Sequence, residues 1–106
     1  MKKEIRLMLD YQCFPIWIYQ KDGTYIDNDL VEEIRNDKNL CKKLEEIQNI
    51  FDSLYLNDQS KFEYVGFKSL DKKDRFMKQV DEVYECLSKL LGDKYTIKNF
   101  IDFNML

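Results

Sequence analysis

The chain is 106 residues long, carries a net charge of −3, and is 44% hydrophobic and 14% aromatic with only three Gly and one Pro. That is one domain's worth of chain, with enough apolar material for a core and without the composition of disorder. There is no histidine, which removes the commonest general base, the usual partner of a catalytic serine and the commonest metal ligand together.

Residues 4–11 read as a strand, because Ile5, Leu7 and Leu9 alternate with Arg6, Met8 and Asp10 at period two. Pro15 interrupts and fits the start of the next strand or an edge. Ile16-Trp17-Ile18-Tyr19-Gln20 then runs to Lys21-Asp22-Gly23 and resumes as Thr24-Tyr25-Ile26, an Asp-Gly hairpin. Asp27-Asn28-Asp29 changes the period, with Asn28 or Asp27 as the expected N-cap of a short helix carrying Leu30, Val31 and Ile34.

Asn36-Asp37 restarts the helical pattern, and over residues 38–55 Leu40, Leu44, Ile47, Phe51 and Leu54, widened by Ile50 and Tyr55, form one apolar stripe. Residues 56–60 break it, and Phe62, Tyr64, Val65 and Phe67 read as an aromatic strand in which Gly66 marks a bulge or close contact. Ser69 or Asp71 opens the last helix, whose stripe is Phe76, Met77, Val80, Val83, Tyr84, Leu87, Leu90 and Leu91. Gly92 stands where a left-handed cap belongs, and residues 95–103 read as a final strand. These elements predict one α+β domain over residues 1–106, a mainly antiparallel sheet of four to five strands packed against two long helices and one short helix.

Other chemistry is excluded by spacing. Gly23, Gly66 and Gly92 stand too far apart for a G-x-G-x-x-G turn or a G-x-x-x-x-G-K loop, and none of the four Ser lies in G-x-S-x-G. Cys13, Cys41 and Cys86 are odd in number and lack C-x-x-C spacing, so no disulfide framework, thiolate metal site or cofactor is expected and a reducing cytoplasm is. Cys41 and Cys86 fall on helical stripes or their margins as small hydrophobes, while Cys13 has no histidine to activate it. The basic start at residues 1–6 leads into an apolar stretch broken by Asp10 and Gln12, short of a signal peptide, and no run reaches the roughly 20 apolar residues of a membrane span.

Three surface clusters stand out. Asp27, Asp29, Glu32, Glu33 and Asp37 would stabilise a helix start through its dipole, and the same carboxylates suit docking to a basic partner; they lack EF-hand spacing, so no metal is expected. Lys72, Lys73, Arg75 and Lys78 open the last helix against its dipole, where Asp71, Asp74, Asp81 and Glu82 are the natural compensation. With a net charge of −3 this cluster is a poor nucleic-acid footprint. Tyr11, Trp17, Tyr19 and Tyr25 gather at the first hairpin, where alternation sets Trp17 and Tyr19 opposite Ile16 and Ile18; core filling and a protein-binding face both account for them.

The run Asp10-Tyr11-Gln12-Cys13-Phe14-Pro15-Ile16-Trp17-Ile18-Tyr19, with Asp22-Gly23 and Ile26-Asp27-Asn28-Asp29-Leu30 after it, resembles the opening of small bacterial immunity proteins encoded beside polymorphic toxins, including those paired with contact-dependent inhibition toxins. Ile47-Gln48, Phe51-Asp52-Ser53-Leu54, residues 62–67 and Gly92-Asp93-Lys94-Tyr95 keep that texture. The resemblance implies an inhibitor that binds a cognate toxin domain in the bacterial cytoplasm, without catalysis and without contacting nucleic acid itself. The charge and aromatic pattern then assigns partner binding to Asp22, Asp27, Asp29, Glu32 and Glu33, backed by Trp17, Tyr19 and Tyr25.

Two other classes share these residues. A regulatory or adaptor module for an endogenous partner would use the same acidic and aromatic surface. An enzyme without histidine would need Asp10, Glu63 or Asp102 raised toward neutral pKa in a pocket. A long last strand ending at residues 103–106 would also offer its edge to a second copy or to a partner.

Overall fold

The computed structural model describes residues 2–58 and 60–106, so Met1 of the basic start and Gln59 of the break after the first long helix lie outside the described residues. Strand β1, Lys3–Leu7, is central, because Ile5 and Leu7 point into the core while Glu4 and Arg6 alternate to the other face. β2, Ile16–Tyr19, pairs antiparallel with it, setting Ile18 opposite Ile5 and Trp17 opposite Arg6. β3, Tyr25–Asp27, returns along β2 through a bulge between Ile18 and Tyr19. Gly23 makes that hairpin with φ +90°, a conformation glycine adopts without a Cβ penalty.

The short predicted helix is a single 3-10 turn, Glu32–Ile34, preceded by Val31 without a side-chain cap. Neither Asp27 nor Asn28 caps it. The Asn28 carboxamide instead donates to the carbonyls of Phe14 at 2.6 Å and Ile16 at 2.8 Å, pinning the chain beside β2 and delivering Val31 and Ile34 to the core. The helical cap falls to Asp37, whose carboxylate accepts from Leu40 N–H at 3.0 Å and starts α1, Lys38–Ser53.

Helix α1 ends before Tyr55, earlier than its stripe predicts, because Tyr55 enters β4, Tyr55–Asn57, which pairs with β5, Phe62–Tyr64. Tyr55 stacks on Phe62 at 5.3 Å and meets Phe51, Tyr64 and Tyr11 edge-on or tilted, contacts a continuing helix would forfeit. The predicted aromatic strand is therefore half of a separate two-stranded ribbon rather than a fifth member of the main sheet.

Ser69 accepts from Lys72 N–H at 3.2 Å and opens α2, Leu70–Leu91. At its end Gly92 is right-handed, with φ −59°, contrary to the expected left-handed cap. A Cβ there would stand 2.4 Å from the Ser88 carbonyl oxygen, so close approach, not positive φ, demands glycine. At 22 residues α2 is about 33 Å long; it carries the chain back across the sheet, and β6, Tyr95–Asn99, enters parallel to β1 with Ile97 beside Ile5.

The main sheet is thus mixed, with order β3-β2-β1-β6, where the sequence pattern predicted mainly antiparallel pairing. β6 lies at an edge but stops at Asn99, and residues 103–105 form a 3-10 turn capped by Asp102 rather than extended strand. Buried residues of both helices, from Leu40, Leu44, Ile47 and Phe51 to Phe76, Val80, Val83, Leu87 and Leu91, join Ile5, Leu7, Ile16 and Ile18 in one cluster. Both helices therefore cover the same face of the sheet. No helix among the described residues is long and apolar enough to cross a membrane.

Candidate functional site

The second face of the sheet carries the alternate residues of every strand. Register sets Tyr19 beside Glu4, Trp17 beside Arg6, and Thr96 and Lys98 beside Glu4 and Arg6 across β6. At its centre the Arg6 guanidinium lies 3.9 Å from the centre of the Tyr19 ring and 5.2 Å from that of Phe100, a cation held against aromatic faces. Glu4, only 8% exposed, accepts from Arg6 Nε and from Lys98 Nζ, each at 2.7 Å. The hydrogen bond from Lys98, followed by the bond and charge of Arg6, holds its carboxyl below the usual glutamate range.

Of the four predicted aromatic residues, Trp17, Tyr19 and Tyr25 meet on this face, whereas Tyr11 packs instead on Tyr55 at 5.0 Å and Phe62 at 4.8 Å. Tyr25 lies 6.0 Å from Trp17 and 5.6 Å from Tyr19 between ring centres, and it is 51% exposed. Trp17 donates its indole N–H to the Met8 carbonyl at 3.1 Å, which fixes the ring and leaves its partly exposed surface at the boundary. Desolvation in this stack and the neighbouring Asp27 carboxylate push the Tyr25 hydroxyl above its ordinary value, so at neutral pH it is a proton donor. Phe100, 50% exposed, closes the opposite side. The result is a surface of mutually packed rings beside a cation that Glu4 holds.

The predicted acids do not form one helix face, since the predicted helix is reduced to the single 3-10 turn Glu32–Ile34. Asp22 sits at the hairpin tip and accepts from Thr24 N–H at 2.9 Å; bonding to Thr24 lowers its carboxyl, so it serves the turn. Asp27 accepts from Asn28 N–H at 2.8 Å beside Tyr25. Asp29 accepts from Leu30 N–H at 2.7 Å and meets Arg35 at 3.5 Å. Glu33 accepts from the Tyr95 hydroxyl at 3.1 Å. Tyr95 shares the core-side row of β6 with Ile97, so Glu33 stands on the helix side. Its hydroxyl is raised by burial first, then by Glu33 and Glu32, which places Glu32 near the same spot. Asp22 and Asp27 border the aromatic face, whereas Glu32 and Glu33 lie round the edge from it.

Sequence reasoning omitted Glu4, Arg6, Lys98 and Phe100. The alternation that aims Ile5 and Leu7 inward already turns Glu4 and Arg6 outward, but the parallel pairing that adds Lys98 has no signature in a period-two pattern.

The alternative carboxylates are exposed, and they lack a shared pocket. Asp10 accepts from its neighbour Tyr11 N–H at 2.8 Å, and Asp102 from Asn104 N–H at 2.9 Å, each serving local backbone. Burial, then Asp10 and Asp52, push the Cys13 thiol up, away from the thiolate that nucleophilic chemistry requires. Among the described residues no cluster of three or more Cys, Asp or Glu is placed to hold a metal ion.

Compared with known proteins, the chain matches a family model described as Serratia CdiI immunity protein-like over residues 3–102. No curated protein matches it.

Proposed function

The chain belongs to the Serratia CdiI immunity protein-like family, and from that premise we propose that it neutralises one cognate toxin domain by stoichiometric binding in the cytoplasm. The supporting observation is the uncovered sheet face, where Tyr25 packs on Trp17 and Tyr19, and Tyr19 in turn on an Arg6 held by Glu4. Rings fixed before binding lose little entropy on contact and act as anchors.

A specific interface buries about 800 Å² on each partner, about a tenth of this chain's 7243 Å² surface. Four strands at about 4.8 Å spacing and about 17 Å length present only about 300 Å² in projection. The toxin must therefore also touch the surrounding loops. Asp22 at the hairpin tip and Asp27 beside Tyr25 lie on that rim, and Asp29, Glu32 and Glu33 extend it round the edge. Toxins that act on nucleic acid carry basic clefts, so this acidic border steers encounter while the rings slow release.

Inhibition by occlusion requires neither a cofactor nor turnover. Co-expression tests it: the chain should rescue a host from its cognate toxin domain and co-purify with it at equal stoichiometry. Rescue without a complex would instead mean that the chain acts on the toxin's target or product.

A further inference from the structure

A groove of about 730 Å³ lies away from the aromatic face, between the end of α1, the residues after β5 and the first turns of α2. Ile50, Leu54, Val65 and Phe67 make its apolar floor, and Lys72, Arg75 and Lys78 stand in a row along one wall, with Lys68 at the approach. Leu54 holds the opposite wall in place: its carbonyl accepts from both Val65 N–H at 2.7 Å and Gly66 N–H at 3.1 Å. Gly66 takes φ +73° to make that turn.

Among the described residues the ion pairs are Arg6–Glu4, Lys98–Glu4 and Arg35–Asp29, so none of the four cations is held in a direct ion pair. Asp71 is the acid in the first turn of α2, and Glu82 is the one carboxylate among the groove's lining residues, so the groove keeps an excess of positive charge. Of these cations only Lys72 lies in the first turn of α2, where the helix dipole disfavours positive charge. An exposed row of three cations without ion-pair partners, set beside an apolar floor, matches an occupant that brings carboxylates.

We propose that this groove docks a protein segment with an apolar face bordered by Asp or Glu side chains. The repeat of the cations decides for a polypeptide. Lys72, Arg75 and Lys78 are spaced three residues apart, about 4.5 Å per step along the helix, so carboxylates recurring along a chain meet all three. An acyl chain with a single anionic head would meet one end of the row and leave the rest unpaired. This second surface is independent of toxin binding to the sheet face, and both can be occupied at once.

The test uses the full chain and three probes: an acidic amphipathic peptide of about 15 residues with Leu at helical spacing, its counterpart with Lys for every Glu, and laurate. Amide shifts in the ¹H–¹⁵N spectrum should map the acidic peptide to Val65–Lys68 and the first three turns of α2. Its affinity should fall roughly tenfold or more in the K72E/R75E/K78E variant and weaken with salt, while unchanged shifts in β1 and β2 report an intact fold. The idea is overturned if the acidic peptide leaves the groove residues unmoved up to about millimolar concentration. It is equally overturned by comparable binding of the Lys peptide, an unaffected triple variant, or a clear preference for laurate.

Discussion

The Lys98 ammonium reaches across from β6 to the Glu4 carboxylate of β1 at 2.7 Å, tying together the two parallel strands. Arg6 approaches the same carboxylate at 2.7 Å, so Glu4 is charged and doubly bonded on the sheet face that also carries Trp17 and Tyr19. Its carboxyl is held below the usual value near 4.5. Because the folded state favours the ionised form, this interaction stabilises the fold fully above that value and is lost as pH falls through the lowered one. Glu4→Gln should cost about 1 kcal/mol at neutral pH, since Lys98 is half in water and its contribution is screened. Urea denaturation at pH 7 and at pH 3 checks it: the gap between native and variant should narrow in acid, and a constant gap would show that the charge is not its source.

Asn28→Ala removes two donors from the carbonyls of Phe14 and Ile16, which the loop leaves partly buried. The expected loss is about 1–3 kcal/mol, read as a lower denaturant midpoint with an unchanged slope. Asn28→Asp should be at least as harmful, because a carboxylate cannot donate to either carbonyl. A neutral Asn28→Asp would mean that the loop is held by Val31 and Ile34 alone.

Phe76, 1% exposed, meets Phe67 at 5.5 Å and Phe103 at 6.4 Å between ring centres, joining the approach to α2 with the C-terminal turn. Phe76→Ala should cost about 3–5 kcal/mol. Hydrogen exchange should rise in α2 and around Phe103 together; protection kept at the C-terminal turn would show that it docks without this ring.

Reversal of Asp27, Asp29, Glu32 and Glu33 to Lys should slow association with the toxin about tenfold or more at low salt and much less at high salt, leaving the dissociation rate nearly unchanged. Stopped-flow mixing separates the two rates. Unaltered association would remove these carboxylates from the encounter.

Local signals were legible where one residue type does one job. Asp37 caps α1, Ser69 caps α2, Asp22-Gly23 turns the hairpin, and the stripe from Leu40 to Phe51 and, in α2, Phe76, Val80, Val83, Leu87 and Leu91 are buried as their spacing requires, while Leu90, expected in the second stripe, is 55% exposed. Pairing was not legible, because Ile97 alternates identically whether β6 runs with β1 or against it. Tyr55 fits the stripe of α1 as well as it fits its stack on Phe62, and only the tertiary contact decides. The charge cluster misled for a related reason: Asp27, Asp29, Glu32 and Glu33 share a helix face only if a helix forms, and Asn28 is engaged by the strand carbonyls instead. Trp17, Tyr19 and Tyr25 do share a face, since alternation and hairpin register place them there without long-range information.

Stoichiometric capture of a toxin domain by the open sheet face is put to the test by calorimetric titration of the cognate domain with the native chain and with Y19A/Y25A. Tyr19 and Tyr25 lie outside the core cluster, so the variant should stay folded. The expected result is one-to-one binding in the nanomolar range, about −12 kcal/mol, weakened at least about tenfold by loss of the two rings. Absence of binding by the native chain would contradict the claim outright, and equal affinity of the folded variant would move the interface off this face.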